Sequence, residues 1–573
     1  MQILESSQRL ENVKPNIGVM LYDIANRFES RTGFQEKHDG KYEGLTWGEL
    51  YVKVEKIAYN LTRFGFTRGD KIVIYSKNRL EMLLLELAVM ASGGIAIPIF
   101  FNYNSETAEL LIKHSDASYL AVGDEVQLLR LSPGLNLKRI FVFDRISNSN
   151  YNNLVQFSEL LLEKVTNGFT LDLDASTDDI CLKMYTSGTM GNQKCVQLTH
   201  RNILSQQAAL KKLWNIDEND RFLSYLRWHH SFGGIFELFT ALSNGALLSL
   251  ESSNGLDPDV IFENWKIVQP TLFFSVPLIY QQLIDITMEN KEAEELFFHS
   301  DLKFVFTAAA PLPKHISDEF EKRKINVVEG WGLTETSPCC TLTDPDLKRA
   351  PGVIGKPIAG VTIALAEEDN EILVKGPNVM KGYYKDDESN KTAFNEDGWF
   401  CTGDIGEFTE TGLKLITRKD RIFKLLNAEK VIPTELEGLI TGKCHFVSYA
   451  LVEGSGKNYP VALIFPNKRL MNEMTESNGI KIDNCVCPEG TDKLAKCLKG
   501  CLTNVNDGLK QKFARIKSAV LIDEELSVEN KTLTPSMKLA PNSVKSIYKT
   551  YIEDLYDAAE PRFENAYVIV IEE

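Results

Sequence analysis

The chain has 573 residues, 43% of them hydrophobic and 25% charged, the balance of a protein that can bury several large cores. That length predicts about three or four domains of ordinary size. A formal net charge of −16 argues against a general nucleic-acid binder, which would carry a basic stripe, and against attachment to anionic lipid by charge alone.

Met1-Gln2-Ile3-Leu4-Glu5-Ser6 lacks a basic start followed by an apolar stretch, so no secretory signal is expected and a cytoplasmic location is. The ten cysteines are accordingly expected as reduced thiols. Cys485, Cys487, Cys497 and Cys501 cluster late in the chain. Their spacing is not a familiar zinc pattern and no histidine lies close by, so core or surface thiols are the better reading.

In chain order, Thr46-Trp47-Gly48-Glu49 has the form of a capping box. It predicts a helix whose Leu50, Val54, Ile57, Ala58 and Leu61 share one face. Lys71–Tyr75 reads as a strand and Glu81–Ala91 as a helix, followed by a strand at Ile95–Ile99 and a helix at Ser105–His114. Met82 to Phe101 is the most apolar stretch, but Glu86, Gly93, Gly94 and Pro98 suit a buried helix and strand better than a membrane span. Tyr119–Val122 and Arg139–Phe143 are further strands, and Ser147 to Asp179 reads as an irregular connection. A second alternating region runs from Ile180 to about Asp344.

Val353 to Ile416 is richer in glycine and in strands, at Ile363–Leu365, Glu371–Val374 and Lys414–Ile416. Beyond Lys419, hairpin strands at Phe446–Glu453 and Tyr459–Phe465 and a helix around Asp492–Phe513 predict a small α+β domain. The fold expected is therefore α/β. Parallel-type sheets covered by helices and a β-rich subdomain would form a large N-terminal domain, residues 1–418, and 419–573 a smaller C-terminal one.

The most informative stretch is Met184-Tyr185-Thr186-Ser187-Gly188-Thr189-Met190-Gly191-Asn192-Gln193-Lys194. Glycines that admit close backbone approach, several hydroxyls and one lysine can surround a polyphosphate. It is not a Walker A loop, because Gln193 stands where the second glycine belongs. A polar turn between a strand and the helix opening near Thr199 is the plain alternative.

Four more stretches follow in order: Trp331-Gly332-Leu333-Thr334-Glu335, Thr402-Gly403-Asp404, Thr417-Arg418-Lys419-Asp420-Arg421-Ile422-Phe423-Lys424 and Leu533-Thr534-Pro535-Ser536-Met537-Lys538. Together with the first loop they resemble the signature set of the adenylate-forming (AMP-binding) superfamily, and most of all its long-chain fatty acyl-CoA synthetase branch. The resemblance runs from Leu45-Thr46-Trp47 to Tyr551.

The resemblance implies ATP, Mg²⁺ and CoA (as co-substrate). Thr186, Ser187, Gly188, Thr189, Gly191 and Lys194 would hold the β- and γ-phosphates. Ala309 and Ala310, within Ala308-Ala309-Ala310-Pro311-Leu312, would form a wall beside the adenine, on which Trp331 would stack. Thr334 would contact the α-phosphate, and Glu335 would hold the metal with Thr189. Asp404 would accept from the ribose hydroxyls and Arg418 add a cation beside it. Asp420 matches a hinge about which the C-terminal domain, as the mobile part, rotates. Lys538 would bridge the carboxylate and the α-phosphate during adenylation.

Trp228-His229-His230-Ser231-Phe232-Gly233 resembles an acyl-site element with His230 at the matching place; a buried, hydrogen-bonded histidine at a helix start fits equally.

The chain departs from the family at Trp331, where tyrosine is usual, and in three further places. Gln193-Lys194-Cys195 replaces Pro-Lys-Gly, which is expected to soften the loop and set a side chain beside it. Ala428 replaces a common glycine where pantetheine passes, and Leu539-Ala540-Pro541 replaces a basic run.

The reading is an acid–thiol ligase acting on a medium- or long-chain fatty acid by way of acyl-AMP, with peripheral membrane contact for a lipid substrate open. An acyl-AMP ligase or acyl-carrier-protein synthetase that does not use CoA is the first alternative. A non-catalytic nucleotide-binding scaffold is the second, disfavoured because Lys194, Glu335, Asp404, Arg418 and Lys538 all survive together.

Overall fold

In a computed structural model of the chain, the early strand–helix alternation becomes a mostly parallel sheet. The structure describes residues 1–146, 151–162, 165, 169–186, 193–308, 312–345, 347, 349–350, 352–444, 446–468, 471, 490–527, 530–534, 538–557 and 565–571. Lys71–Tyr75 lies between Ile95–Ile99 and Tyr119–Val122, parallel to both, and Arg139–Val142 extends the sheet in parallel. These strands are buried almost throughout, which is why they read as continuous apolar runs instead of alternating ones.

The helix Leu80–Met90 is buried at every position from Met82 to Met90, as expected for a helix without a polar face. The capping box of the Trp47–Arg63 helix is present. The Glu49 amide donates to Thr46 Oγ1 at 3.2 Å, and the Thr46 amide donates to Glu49 Oε2 at 2.9 Å. Its buried stripe contains Leu50, Val54, Ile57, Ala58 and Leu61.

The stretch after Ser147, read as irregular, contains the strand Leu154–Gln156, parallel to Arg139–Val142, and the short helix Glu159–Leu162. Elements of three or four residues carry too little periodicity to stand out. Gln2–Glu5 also pairs, antiparallel to Thr362–Leu365.

A second sheet holds the consecutive parallel strands Leu247–Leu250, Arg221–Ser224, Leu272–Ser275, Phe304–Thr307 and Asn326–Gly332 in that spatial order. Cys339–Leu342 and Val353–Pro357 continue it antiparallel, toward Gly412–Arg418. The β-rich character expected after Val353 lies in these strands and in the antiparallel pair Thr362–Leu365 and Glu371–Lys375.

The chain divides into two compact units. The described residues of 1–186 and 193–402, with 407–414, form the first; 403–406 and those from 415 onward form the second. In the second, Val447–Glu453 and Val461–Pro466 make the expected hairpin, Ser518–Ile522 joins in parallel and Ala566–Val570 antiparallel.

Alternation along these strands sends Val452, Ala462, Ile464, Ala519 and Leu521 to one face, against Leu436, Ile440, Leu494, Leu498 and Leu502 of the helices Pro433–Lys443 and Thr491–Gly508. Leu451, Val461, Leu463, Phe465, Val520 and Ile522 take the other face, against Val544, Tyr548, Ile552 and Leu555. The long helix stops at Gly508, short of the expected Phe513, and a 3₁₀ turn at Lys512–Ala514 follows. No helix among the described residues is long and apolar enough to cross a membrane.

Candidate active site

The strand Ile180–Tyr185 pairs antiparallel with Cys195–Thr199, so the glycine-rich stretch is the loop of a hairpin. The helix His200–Leu213 then opens on Thr199, whose hydroxyl accepts from the Asn202 amide at 3.2 Å. Two hydrogen bonds close the neck of the loop. The Thr186 amide donates to the Lys194 carbonyl at 2.9 Å, and the Lys194 amide donates to Thr186 Oγ1 at 3.2 Å. Ser187, Gly188, Thr189 and Gly191 lie outside the described residues, as do Ala309 and Ala310.

The neck shows what replaces the missing Pro-Lys-Gly. Gln193 Nε2 donates to the Tyr103 hydroxyl at 2.9 Å, a side-chain tether where a proline would have stiffened the backbone. Cys195 is 1% exposed, so its side chain is packed in the core. Burial pushes its thiol up to about 11, against the lowering effect of Lys183 and Tyr185.

Thr334 and Glu335 lie in a 3₁₀ turn directly after the strand Asn326–Gly332. Thr334 Oγ1 is 3.1 Å from the hydroxyl of Ser231, which is buried. Glu335 Oε1 accepts from the Tyr383 hydroxyl at 2.8 Å, and the Lys194 ammonium stands 4.7 Å from the centroid of the same Tyr383 ring. The first unit thus brings together Lys194, Thr334, Glu335 and two residues that sequence reasoning missed, Ser231 and Tyr383. Ser231 adjoins His230 and was within reach; Tyr383 had no signal, being one aromatic among many.

Trp331, opposite Thr341 in the sheet, is 7% exposed. His230 begins a tight turn: its Nδ1 accepts from the Phe232 amide at 3.3 Å and its carbonyl from the Gly234 amide at 2.8 Å. A π-helical segment, Phe232–Glu237, follows. A Cβ on Gly234 would lie 1.9 Å from the Trp228 carbonyl oxygen, so this turn accepts only glycine there. Burial, with Arg227 and His230 beside it, holds His229 well below the usual histidine range, and its ring packs 4.9 Å from Phe100. It is therefore neutral at physiological pH.

In the second unit Asp404 is 4% exposed, and Arg418 Nε approaches its Oδ1 at 3.3 Å. A fixed carboxylate held by one guanidinium is a strong acceptor for hydroxyl groups. Asp420, on the turn Lys419–Arg421, is exposed and 3.9 Å from Arg418 Nε.

Lys538 closes a second loop: its amide donates to Thr534 Oγ1 at 3.2 Å, its carbonyl accepts from the Thr534 amide at 2.8 Å, and Leu533 bridges Leu539. The residue is exposed overall, yet desolvation of its ammonium end lowers it to about 8, opposed by attraction to Asp404 and aided by repulsion from Arg418.

Ala428 lies at the tip of a hairpin between Phe423–Lys424 and Lys430–Val431 with φ of +66°, a left-handed conformation that favours glycine. Cys497 and Cys501 are half-buried on one helix, and Cys501 hydrogen-bonds both Cys497 and the buried Cys444. Cys485 and Cys487 lie outside the described residues.

Taken separately, the lysine and hydroxyls of the first unit can bind phosphate, and the carboxylate, guanidinium and ammonium of the second can accept from hydroxyls and offset negative charge. Residues 22–384 match the family model of the AMP-binding enzyme, and residues 420–560 match that of the AMP-binding enzyme C-terminal domain. The chain belongs to the AMP-binding enzyme family.

Among relatives of this AMP-binding enzyme is fatty acyl-CoA synthetase A of Dictyostelium discoideum, 26% identical over 90% of this chain and 86% of that protein. Long-chain-fatty-acid–CoA ligase 1 of Homo sapiens is 27% identical over 91% of this chain and 83% of that protein. ATP-bound MatB from Rhodopseudomonas palustris has the same fold, with a TM-score of 0.74 and 20% identity over 94% of this chain and all (100%) of that one. So does o-succinylbenzoate CoA synthetase (MenE) from Bacillus subtilis in complex with its acyl-adenylate intermediate, at a TM-score of 0.71 and 20% identity over 96% and 99%.

Proposed function

We propose that this enzyme is a cytoplasmic, ATP- and Mg²⁺-dependent acid–thiol ligase that converts a medium- or long-chain fatty acid into its CoA thioester through an acyl-AMP intermediate. The observation that carries this reading is the survival of the whole charge set in an ordered setting. Lys194 and Glu335 share Tyr383, and Asp404, Arg418 and Lys538 interact with one another. The names of the curated relatives support the fatty-acyl substrate class.

A carboxylate is a poor electrophile because its charge is delocalised and its leaving group would be oxide. In the first step a carboxylate oxygen bonds to the α-phosphorus of ATP as the bond to pyrophosphate breaks. The protein's task is to position the reactants and stabilise charge, so no protein nucleophile is required. Lys194 and the loop it closes hold the leaving phosphates, Thr334 the α-phosphate, and Asp404 with Arg418 the ribose. Trp331 stacks on adenine, and Ala309 and Ala310 serve as its wall. His230 stands at the acyl entrance.

Lys538 places its charge on the α-phosphate as the new bond forms. In the second step the CoA sulfur attacks the acyl carbonyl and AMP departs with the electron pair. For this step 419–573 acts as the mobile domain, hinged at Asp420, and withdraws Lys538.

Glu335 fits magnesium. Its Oε1 is occupied by Tyr383, while among the described residues Oε2 accepts no hydrogen bond, leaving a hard oxygen donor of the kind this ion takes. When bound, the ion neutralises phosphate charge.

The reading is tested by carboxylate-dependent exchange of labelled pyrophosphate into ATP across short- to long-chain fatty acids and aryl acids, then by thioester formation with CoA. Exchange and acyl-CoA with medium or long chains are expected. Exchange without acyl-CoA would replace CoA by a carrier protein or another acceptor; no exchange, with ATP still bound, would favour a non-catalytic protein.

A further inference from the structure

Tyr383 is held at both ends of its peptide unit. It pairs with Val196 across the strands Gly382–Tyr383 and Cys195–Thr199, two residues beyond Lys194, which closes the loop neck. Its amide donates to Asn390 Oδ1 at 2.7 Å, and Asn390 Nδ2 donates to its carbonyl at 2.8 Å. From this anchored backbone the buried side chain reaches two functional groups of opposite charge. The hydroxyl donates to Glu335 Oε1 at 2.8 Å, and the ring face lies 4.7 Å from the Lys194 ammonium. The same segment also fixes the Glu335 backbone, since the Met380 amide donates to the Glu335 carbonyl at 2.8 Å.

Glutamate loses much rotamer freedom when ordered, and a half-exposed carboxylate without a tether samples several orientations. A phenol donating to an ionised carboxylate makes a charge-assisted bond that selects one of them. Because that bond uses Oε1, it leaves Oε2 as the open donor. The ring does separate work, because a cation over an aromatic face is held without consuming any of its N–H donors on an acceptor. Lys194 therefore stays available to phosphate.

We propose that Tyr383 is a positioning residue for nucleotide binding, its hydroxyl turning Glu335 toward the magnesium of Mg·ATP and its ring seating Lys194 for the phosphates. This rests on the reading of Glu335 and Lys194 given above. It differs from a packing role for Tyr383 in one respect: hydroxyl and ring act on different ligands, so they separate experimentally.

Tyr383→Phe keeps the ring and removes the hydroxyl; Tyr383→Leu removes both. ATP binding by the full chain is measured by calorimetry, once in EDTA and once with Mg²⁺. For Tyr383→Phe the expected result is wild-type affinity for metal-free ATP and about a tenfold loss for Mg·ATP. For Tyr383→Leu both affinities fall, the metal-free one by about threefold or more.

Glu335→Gln and Lys194→Ala serve as references, losing respectively the Mg²⁺-dependent gain and the metal-free affinity. Tyr383→Phe unchanged in both conditions, or weakened equally in both, overturns the proposal. If Glu335→Gln abolishes the Mg²⁺-dependent gain while Tyr383→Phe does not, Tyr383 alone loses its role. If Glu335→Gln keeps the gain, the underlying reading of the site fails with it.

Discussion

Lys538 and Thr534 clasp each other through two hydrogen bonds, amide to hydroxyl at 3.2 Å and amide to carbonyl at 2.8 Å. Lys194 and Thr186 form the same clasp, at 3.2 Å and 2.9 Å. Two loops with no sequence similarity beyond a threonine and a lysine thus set the lysine backbone in the same way. In each case the side chain leaves from a fixed point. Lys538→Ala is expected to lower pyrophosphate exchange by about a hundredfold or more, with ATP binding and thioesterification of supplied acyl-AMP largely kept. Equal loss of both half-reactions would remove the role assigned to Lys538.

The same lysine sets an alkaline limit. Desolvation lowers it to about 8, so it is charged below that pH and neutral above it. In the role proposed for Lys538 the charged form serves adenylation, so kcat/KM for exchange should be level below about 8 and fall about tenfold per pH unit beyond. A profile flat to pH 10 would show that the Lys538 charge is not used.

Ala428 pays a conformational cost that glycine would not, its φ being +66° at an exposed hairpin tip. Ala428→Gly should raise stability of the second unit by about 0.5–1 kcal/mol, read by urea unfolding of the full chain, and leave exchange unchanged. A loss of stability would mean that the gain in unfolded-chain entropy outweighs the strain relieved.

Glu86 is a second site of stored cost. It is 1% exposed in the apolar helix Leu80–Met90, neither carboxylate oxygen has a hydrogen-bond partner among the described residues, and burial raises it from 4.5 to about 8. The folded state then keeps a proton that the unfolded state releases. The contribution of Glu86 to stability accordingly falls with rising pH between 4.5 and about 8, by about 1.4 kcal/mol per unit. Glu86→Met should be more stable than wild type, by a margin that widens from pH 5 to pH 8; a constant margin in thermal melts would contradict the assignment.

Cys501 should be the fast-reacting thiol. Its pKa is lowered to about 6, chiefly by a hydrogen bond with Cys444, against burial and with help from Cys497 and Lys443. Alkylation by iodoacetamide, followed by peptide mass spectrometry, should show Cys501 reacting at pH 7 well ahead of the buried Cys181 and Cys195. Cys444→Ala should move its midpoint upward. A midpoint near that of free cysteine in the wild type would rule out the shared hydrogen bonds.

The sequence by itself determined the elements whose physics is local. The capping box at Thr46 and Glu49, the apolar stripe behind it and the continuous apolar runs of the strands Lys71–Tyr75, Ile95–Ile99 and Tyr119–Val122 depend on neighbours in the chain, and they stand where the sequence places them. Ordered motifs likewise identified the family and nominated Lys194, Glu335, Asp404, Arg418 and Lys538. Only the tertiary structure decided what those residues touch. Tyr383 lies 48 residues from Glu335, and no periodicity links a phenol to a carboxylate at that separation. Gln193 reads as a lost proline until Tyr103, 90 residues away, is seen to hold it. Long-range pairs of polar groups depend on how sheets bring distant strands side by side, and that is set by packing of the whole chain, not by any segment of it.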